Sequence, residues 1–399
     1  AQCLVGSEMC IRDRCTGQRY WIEKARDYGV EKFVFFSNSP LVEYTYNGQA
    51  RSDRGTGVSN LKPENYEAYA NYMADVALKY KNDGYNITHI SPFNEPQYDW
   101  KGNSQEGSGW SLAEQAKMVR ALDKALTEKG ADIDILPGEA ASWEYDVMSH
   151  YFTAGDAAYI GDCTHVKNNL FGAHSYWTDK NWATMRNVRQ KVANTAAQYG
   201  VDLWQTEWSM LTNDSDYNPD EFPGYAAGTE MDHSIQMSRV IHNDLTVANC
   251  TSWSYWTSMD GGTAEHKNRF ILIRLIPDGG DLTEGDGKYL ATTNLWVLGN
   301  YSLFVRPGYV RISHDVENEN YDFFGSSYLA PDNSRIVSVY TNSTDKTFYL
   351  QDEFEGRDAI MGIKTYTTTD EKQMEPATVR VKDVVTIAPK SVVTVVYDL

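Results

Sequence analysis

From Cys15 to about residue 305 the chain repeats one pattern: a short run rich in β-branched and aromatic residues, then a long amphipathic stretch. That alternation constrains the fold more than any other feature. A strand followed by a helix before the next strand takes a parallel neighbour, so the pattern predicts βα units around a parallel sheet. Strands are expected at Phe33–Phe36, Ile87–Ser91, Ile133–Pro137, Leu170–His174, Val201–Thr206 and Thr251–Tyr255. Helices are expected over Gln18–Tyr28, Pro63–Lys81, Ser111–Lys129, Asn181–Tyr199, Thr229–Ala248 and from Gly287 to about Leu303. Ser111 followed by Glu114 has the pattern of a capping box.

These six units fall short of the eight that close a barrel. Ala1–Arg14 has neither signal-peptide design nor strand or helix periodicity, and reads as a non-native adaptor segment. The abrupt join at Arg14 favours two lost βα units over an open sheet. The expected class is therefore α/β: a (β/α)8 barrel over residues 15–305, missing its first two βα units. After Pro307 the texture changes. Val310–Ser313, Ile336–Tyr340, Thr347–Gln351, Ile360–Thr367, Thr378–Val381 and Val392–Tyr397 are short and alternating, with Asn, Asp, Ser and Gly turns between them. Residues 306–399 thus read as an antiparallel β-sandwich.

Composition excludes several functions. Lys and Arg against Asp and Glu give 36 − 55 = −19, with no basic cluster, so no nucleic-acid partner is expected. No apolar run approaches the ~18–20 residues of a membrane span. Cys3, Cys10, Cys15, Cys163 and Cys250 make no CxxC or Cys/His pattern, and no dinucleotide or phosphate-loop fingerprint occurs; neither metal nor cofactor is expected. The acidic loops Asp214–Glu221 and Asp278–Asp286 lack the EF-hand register and read as solvated. Aromatic residues reach 13%, which suits a cleft that stacks on sugar rings, although core packing accounts for most of the Phe.

In a barrel the reacting groups follow the C-terminal ends of strands. After Ile87–Ser91 comes Pro92-Phe93-Asn94-Glu95-Pro96, and after Val201–Gln205 comes Thr206-Glu207-Trp208-Ser209. Two carboxylates so placed can face each other, and a retaining glycosidase needs a pair roughly 5–5.5 Å apart. Six tryptophans follow strand ends: Trp100, Trp110, Trp143, Trp177, Trp208 and Trp256. Trp177 and Trp256 are the best sugar platforms; for Trp110 and Trp143, packing within a loop is an equal reading. Asn38 and Ser39, at the end of the first strand, are placed to hydrogen-bond a sugar hydroxyl or to form a turn. His174 has no second ligand at metal spacing, so a hydrogen-bonding place beneath the site is expected.

The motifs SPFNEP, FGAHSYW, QTEWS and SWSYW, followed by NYSLFVRPGYVRI, resemble glycoside hydrolase family 30, in the clan of retaining (β/α)8 hydrolases. FSNSP and NEPQYDWKGNSQEG resemble its endo-β-1,6-galactanase-like branch. The resemblance implies Glu95 as acid/base, Glu207 as nucleophile, Asn94 on the sugar 2-hydroxyl and Tyr176 reaching toward the nucleophile. Asn38, Ser39, His174, Trp100, Trp143, Trp177, Trp208 and Trp256 complete the expected substrate-binding set. It further implies a secreted or periplasmic, monomeric enzyme acting on β-1,6-galactan without metal or cofactor. Other activities of the family (β-xylanase, β-1,6-glucanase, β-glucosidase) stand as alternatives. So do a non-catalytic carbohydrate-binding protein and an inactive truncated fragment.

Overall fold

The structure, a computed structural model, describes residues 16–103, 105–261, 268–280, 286–351, 353–355 and 360–399. The expected adaptor segment Ala1–Arg14 and Cys15 lie outside these residues, as does part of the acidic loop from Asp278. The chain divides into two compact units.

The first unit runs to His174 and includes Lys191–Thr206 and Cys250–Ser252. It opens with α1 (Thr16–Asp27) and β1 (Phe33–Phe36), then α2 (Tyr66–Asn82), β2 (Ile87–Ser91) and α3 (Leu112–Glu128). Tyr66, Tyr69, Ala70, Met73, Ala74 and Ala77 recur at helical spacing, which buries one face of α2. The Ser111–Glu114 capping box forms as expected. The single strand expected at Ile133–Pro137 is split into β3 (Asp134–Ile135) and β4 (Gly138–Ala140). The reason is local. Pro137 has no N–H for a ladder, and Gly138 takes φ 113° where a Cβ would strike the Gly172 carbonyl. The segment also changes neighbour there: Leu136 N donates to Ile90 O, and Gly172 N donates to Pro137 O. The short helix α4 (Met148–Phe152) leads to β5 (Phe171–His174). Helix α5 (Trp182–Tyr199) leads to β6 (Leu203–Glu207), and β7 (Ser252–Trp253) ends the series. The strand order is β1-β2-β3 and β4-β5-β6-β7, with β1–β2, β2–β3 and β4–β5 parallel. The expected parallel α/β architecture is thus present. The strand expected at Thr251–Tyr255 is only two residues long.

The second unit comprises Ser175–Gln190, Glu207–Asn249 and Trp253–Leu399. A short helix, α6 (Gly224–Ala227), precedes α7 (Glu230–Thr246) and strand β8 (Met259–Asp260). The acidic residues before them act as caps: Asp214 Oδ1 accepts from Tyr225 N at 2.6 Å, and Glu221 Oε2 from Trp182 N at 2.6 Å. Helix α7 has its own capping box, Thr229 with Asp232, and every residue from His233 to Asp244 is buried.

The helix expected to begin at Gly287 begins later. Gly287–Ala291 is instead strand β10, paired antiparallel with β9 (Ile273–Pro277), and α8 covers Thr293–Ser302. Pairing with β9 satisfies the backbone of Gly287–Ala291. Thr292 then pins the turn, its N–H on Leu272 O and its hydroxyl within reach of the Ile271 and Leu272 carbonyls.

The C-terminal residues form the expected antiparallel β domain. Its main sheet has the order β11 (Val310–Ile312), β12 (Phe323–Leu329), β13 (Arg335–Asn342), β18 (Ser391–Asp398), β15 (Gly362–Thr368), β16 (Glu375–Val379). A second pair, β14 (Phe348–Leu350) with β17 (Val385–Ile387), packs on a core of Phe323, Ile336, Tyr340, Val393, Val395 and Tyr397. Helix α7 is anchored to this domain by Ser238 Oγ, 2.7 Å from Thr341 Oγ1, and by Arg239 Nε donating to Tyr321 O at 3.0 Å.

Candidate active site

Glu95 follows β2 with a left-handed backbone, φ 42°, a conformation uncommon for a residue with a Cβ. Its N–H donates to Glu139 O at 2.9 Å, and its own carbonyl accepts from Tyr98 N at 2.9 Å and Trp100 Nε1 at 3.1 Å. The side chain is 12% exposed and stands 3.2 Å from His174 Nδ1, at the end of β5. His174 is fully buried. Its other ring nitrogen, Nε2, lies 3.2 Å from Oε2 of Glu139. Glu139 sits in β4, is itself left-handed at φ 57°, and is buried. Ser91 Oγ donates to its Oε1 at 2.8 Å and Thr206 Oγ1 to its Oε2 at 2.6 Å. Glu139 was not expected from the sequence. A carboxylate just past a strand run, in Pro137-Gly138-Glu139, was the available signal.

Glu207, in the second unit, ends β6. Tyr176 OH donates to its Oε1 at 2.8 Å, and Ser175 N donates to its main-chain oxygen at 3.2 Å. Tyr176 is held from behind by a buried ion pair. Arg189 Nε donates to Asp244 Oδ1 at 2.9 Å, with both side chains inaccessible to solvent. Asp244 Oδ2 accepts from Ser175 Oγ at 2.9 Å and Trp253 Nε1 at 3.0 Å, while Arg189 Nη1 donates to Thr178 O and Oγ1. The segment on either side of Tyr176 is therefore tied to α5 and α7. Arg189 lies mid-helix and Asp244 in the last turn of its helix, and neither carried a sequence signal.

The remaining expected residues separate by exposure. Trp256 is 40% exposed and its N–H donates to Trp208 O at 3.0 Å. Trp177 is partly buried, left-handed at φ 60°, with its ring tilted on Tyr176 at 5.8 Å. Trp100, Trp110, Trp143 and Trp208 are buried. Trp100 has Gly107 against its ring, where a Cβ would collide, so it braces the loop carrying Glu95. Trp110 packs edge-on to Phe93 at 5.2 Å, and Trp208 lies near Trp253 and Tyr255. Asn94 is buried, with no protein partner on its Oδ1 among the described residues. Asn38 and Ser39 are buried too, and the Ser39 carbonyl accepts from Tyr69 OH at 3.2 Å. Both amide atoms of Gln97 are buried without a partner among the described residues, a polar group that sequence reading passed over.

Residues 10–267 match the family model described as O-Glycosyl hydrolase family 30. The chain belongs to this family. It is 24% identical over 302 residues to an endo-beta-1,6-galactanase of Hypocrea rufa, covering 73% of this chain and 52% of that protein. It is 23% identical over 325 residues to the glucuronoxylanase XynC of Bacillus subtilis, covering 81% and 63%. The chain thus spans about half to two thirds of the length of these relatives. Among solved structures, a conserved exported protein from Bacteroides fragilis superposes with a TM-score of 0.85 at 26% identity, over 96% of this chain and 79% of that one. A family 30 endoxylanase from Clostridium papyrosolvens gives 0.64 at 18% identity, over 95% and 82%. The family 30 fold, a βα barrel with an attached β domain, is the one to which the parallel and antiparallel sheets described above conform.

Proposed function

We propose that this chain carries a retaining, endo-acting hydrolase of β-linked glycans, with β-1,6-galactan as first substrate. In this reading Glu207 attacks the anomeric carbon while Glu95 delivers a proton to the departing glycosidic oxygen. Glu95, now a carboxylate, then takes a proton from water as its oxygen displaces Glu207. One observation carries the assignment of roles. Glu207 is held by a phenol, a neutral donor that favours the ionised carboxylate. Glu95 is held by an imidazole, a group that can either accept or donate a proton. Asn94 Oδ1, without a partner among the described residues, suits a contact to a sugar hydroxyl, and the accessible ring of Trp256 suits stacking on a sugar face.

Galactan is favoured by the FSNSP and NEPQYDW motifs and by the Hypocrea rufa relative. The glucuronoxylanase relative supports xylan as the second reading. The exported Bacteroides fragilis neighbour supports secretion, which the sequence reading also implies. Incubation with β-1,6-galactan, glucuronoxylan and β-1,6-glucan, with products followed by NMR, tests the reading. Galactan cleavage giving the β-anomer first is expected. Xylan cleavage alone would overturn the substrate, and the α-anomer appearing first would overturn the double displacement.

A further inference from the structure

The hydrogen-bond chain that starts at Glu95 does not stop at His174. It runs on to a third carboxyl, Glu139, which neither step of the proposed reaction uses and which is 1% exposed. Each Glu139 oxygen accepts a hydroxyl, Ser91 Oγ on Oε1 and Thr206 Oγ1 on Oε2. Two hydroxyl donors suit a carboxylate, which only accepts. His174 Nε2, 3.2 Å from Oε2, must then be the protonated ring nitrogen. A neutral imidazole with its proton on Nε2 presents a lone pair at Nδ1. That lone pair lies 3.2 Å from Glu95 Oε1.

We infer that Glu139 is a positioning residue for Glu95: it fixes the tautomer of His174, so that Nδ1 is the acceptor for the proton-bearing Glu95 carboxyl. The inference rests on Glu95 being the acid/base. In the first step the Glu95 proton goes to the glycosidic oxygen as the carbon–oxygen bond breaks, and His174 keeps its Nε2 proton. A lone pair then faces a carboxylate oxygen across the same 3.2 Å, an unfavourable contact. It favours Glu95 taking a proton from the attacking water, which restores the starting state with no net change on His174 or Glu139. The main chain adds a second hold. Glu95 N donates to Glu139 O at 2.9 Å, and both residues are left-handed, so displacing Glu139 displaces Glu95.

The test uses the full chain labelled with ¹⁵N-histidine, in wild type and in Glu139→Ala, Glu139→Gln and His174→Asn variants, with Glu95→Gln as reference. Each is assayed on an oligosaccharide of the glycan selected by the panel above and on the corresponding 2,4-dinitrophenyl glycoside. The oligosaccharide leaving group needs a proton; the dinitrophenolate departs without one. Glu139→Ala is expected to lower kcat/KM for the oligosaccharide by about 10²-fold and for the dinitrophenyl glycoside by less than about 3-fold. Glu139→Gln is expected to recover most of the loss, because its amide oxygen still accepts from Thr206 and Nε2. The His174 nitrogen resonances are expected to show a protonated Nε2 and a bare Nδ1 in wild type, and to lose that pattern in Glu139→Ala. Equal losses on the two substrates, or an unchanged tautomer, would mean a structural role only and overturn the inference. If Glu139→Ala does not fold, His174→Asn carries the same leaving-group comparison, and equal losses there overturn it as well. A Glu95→Gln enzyme without the leaving-group signature would instead overturn the acid/base assignment, while the tautomer measurement still decides the role of Glu139.

Discussion

Glu95 and Glu207 are both glutamates at or just past a strand end, yet the hydrogen bonds described for them go to different groups. Glu95 touches an imidazole, which leads to a second carboxyl; Glu207 touches the phenol of Tyr176, whose chain neighbours Ser175 and Thr178 are bonded to a buried ion pair. A phenol near a carboxylate stays protonated through the physiological range, so Glu207 has a fixed donor. An imidazole can change its proton, so Glu95 has a partner suited to the acid/base role proposed for it. The strand-end motif places a carboxylate, and the neighbours decide whether it is a constant charge or a proton carrier.

The sharpest way to break this comparison is to neutralise each glutamate in turn. Glu207→Gln is expected to abolish turnover, by about 10⁴-fold or more, on every substrate whatever its leaving group. Glu95→Gln is expected to cost about 10²–10⁴-fold on the oligosaccharide, with formation of the glycosyl-enzyme from a dinitrophenyl glycoside largely spared. Rapid-mixing kinetics with both substrates check the pair, and identical profiles would erase the distinction between the two carboxyls.

Asp244→Ala tests the support behind Tyr176. Removing one partner of a buried pair leaves Arg189 uncompensated, so unfolding in urea should show a loss of about 3–5 kcal/mol. Tyr176→Phe removes only the donor to Glu207. A hydrogen bond to a charged group is worth about 1.5–3 kcal/mol, so kcat should fall by roughly 10- to 100-fold with the melting temperature unchanged. A melting temperature lowered as far as in Asp244→Ala would mean that Tyr176 serves packing more than charge.

The smallest effect concerns His89, which separates the pH dependence of stability from that of activity. Burial pulls this imidazole down to about 4, with the Asp134 carboxylate acting weakly the other way. The unfolded chain charges His89 near its ordinary pKa of 6.5, so its neutral form supports the fold fully above that pH. The contribution is lost as pH falls from about 6.5 to about 4. Discounted for its partial exposure, it is on the order of 2 kcal/mol. His89→Phe should flatten the stability slope in that window by this amount, as read by urea titrations at several pH values.

The two catalytic candidates were legible because a β-rich run marks where a strand ends, and chemistry collects there. Glu139 obeys the same rule but is hidden in the sequence, because Pro137 is a strand-end signal and Gly138 nevertheless lets the chain continue as β4. Its partners lie 48, 67 and 35 residues away, at Ser91, Thr206 and His174, so local spacing carried no trace of them. The tryptophans show the opposite failure. Trp100 and Trp256 both follow a strand end, yet one is 2% and the other 40% exposed. Position along the chain cannot distinguish a ring that braces a loop from one that faces solvent. In the β domain, β12 escaped notice because six of its seven residues are buried, so it shows no alternation. Strand β10 does not declare itself in the sequence because its antiparallel partner, β9, decides the matter, and pairing is a long-range property.

Helix α7 has a consequence for how such enzymes can be taken apart. It precedes the change of texture after Pro307, but its buried polar residues serve two clients. Ser238 and Arg239 answer to the β domain, and Asp244 holds the segment that carries Tyr176. Trimming the chain at the change of texture after Pro307 would remove Thr341 and the Tyr321 carbonyl, the β-domain partners of the Ser238 hydroxyl and the Arg239 guanidinium. The visible seam in the sequence is therefore a poor place to cut. A recombination event, or an engineer grafting a foreign β domain onto this scaffold, would have to carry α7 along as part of the graft.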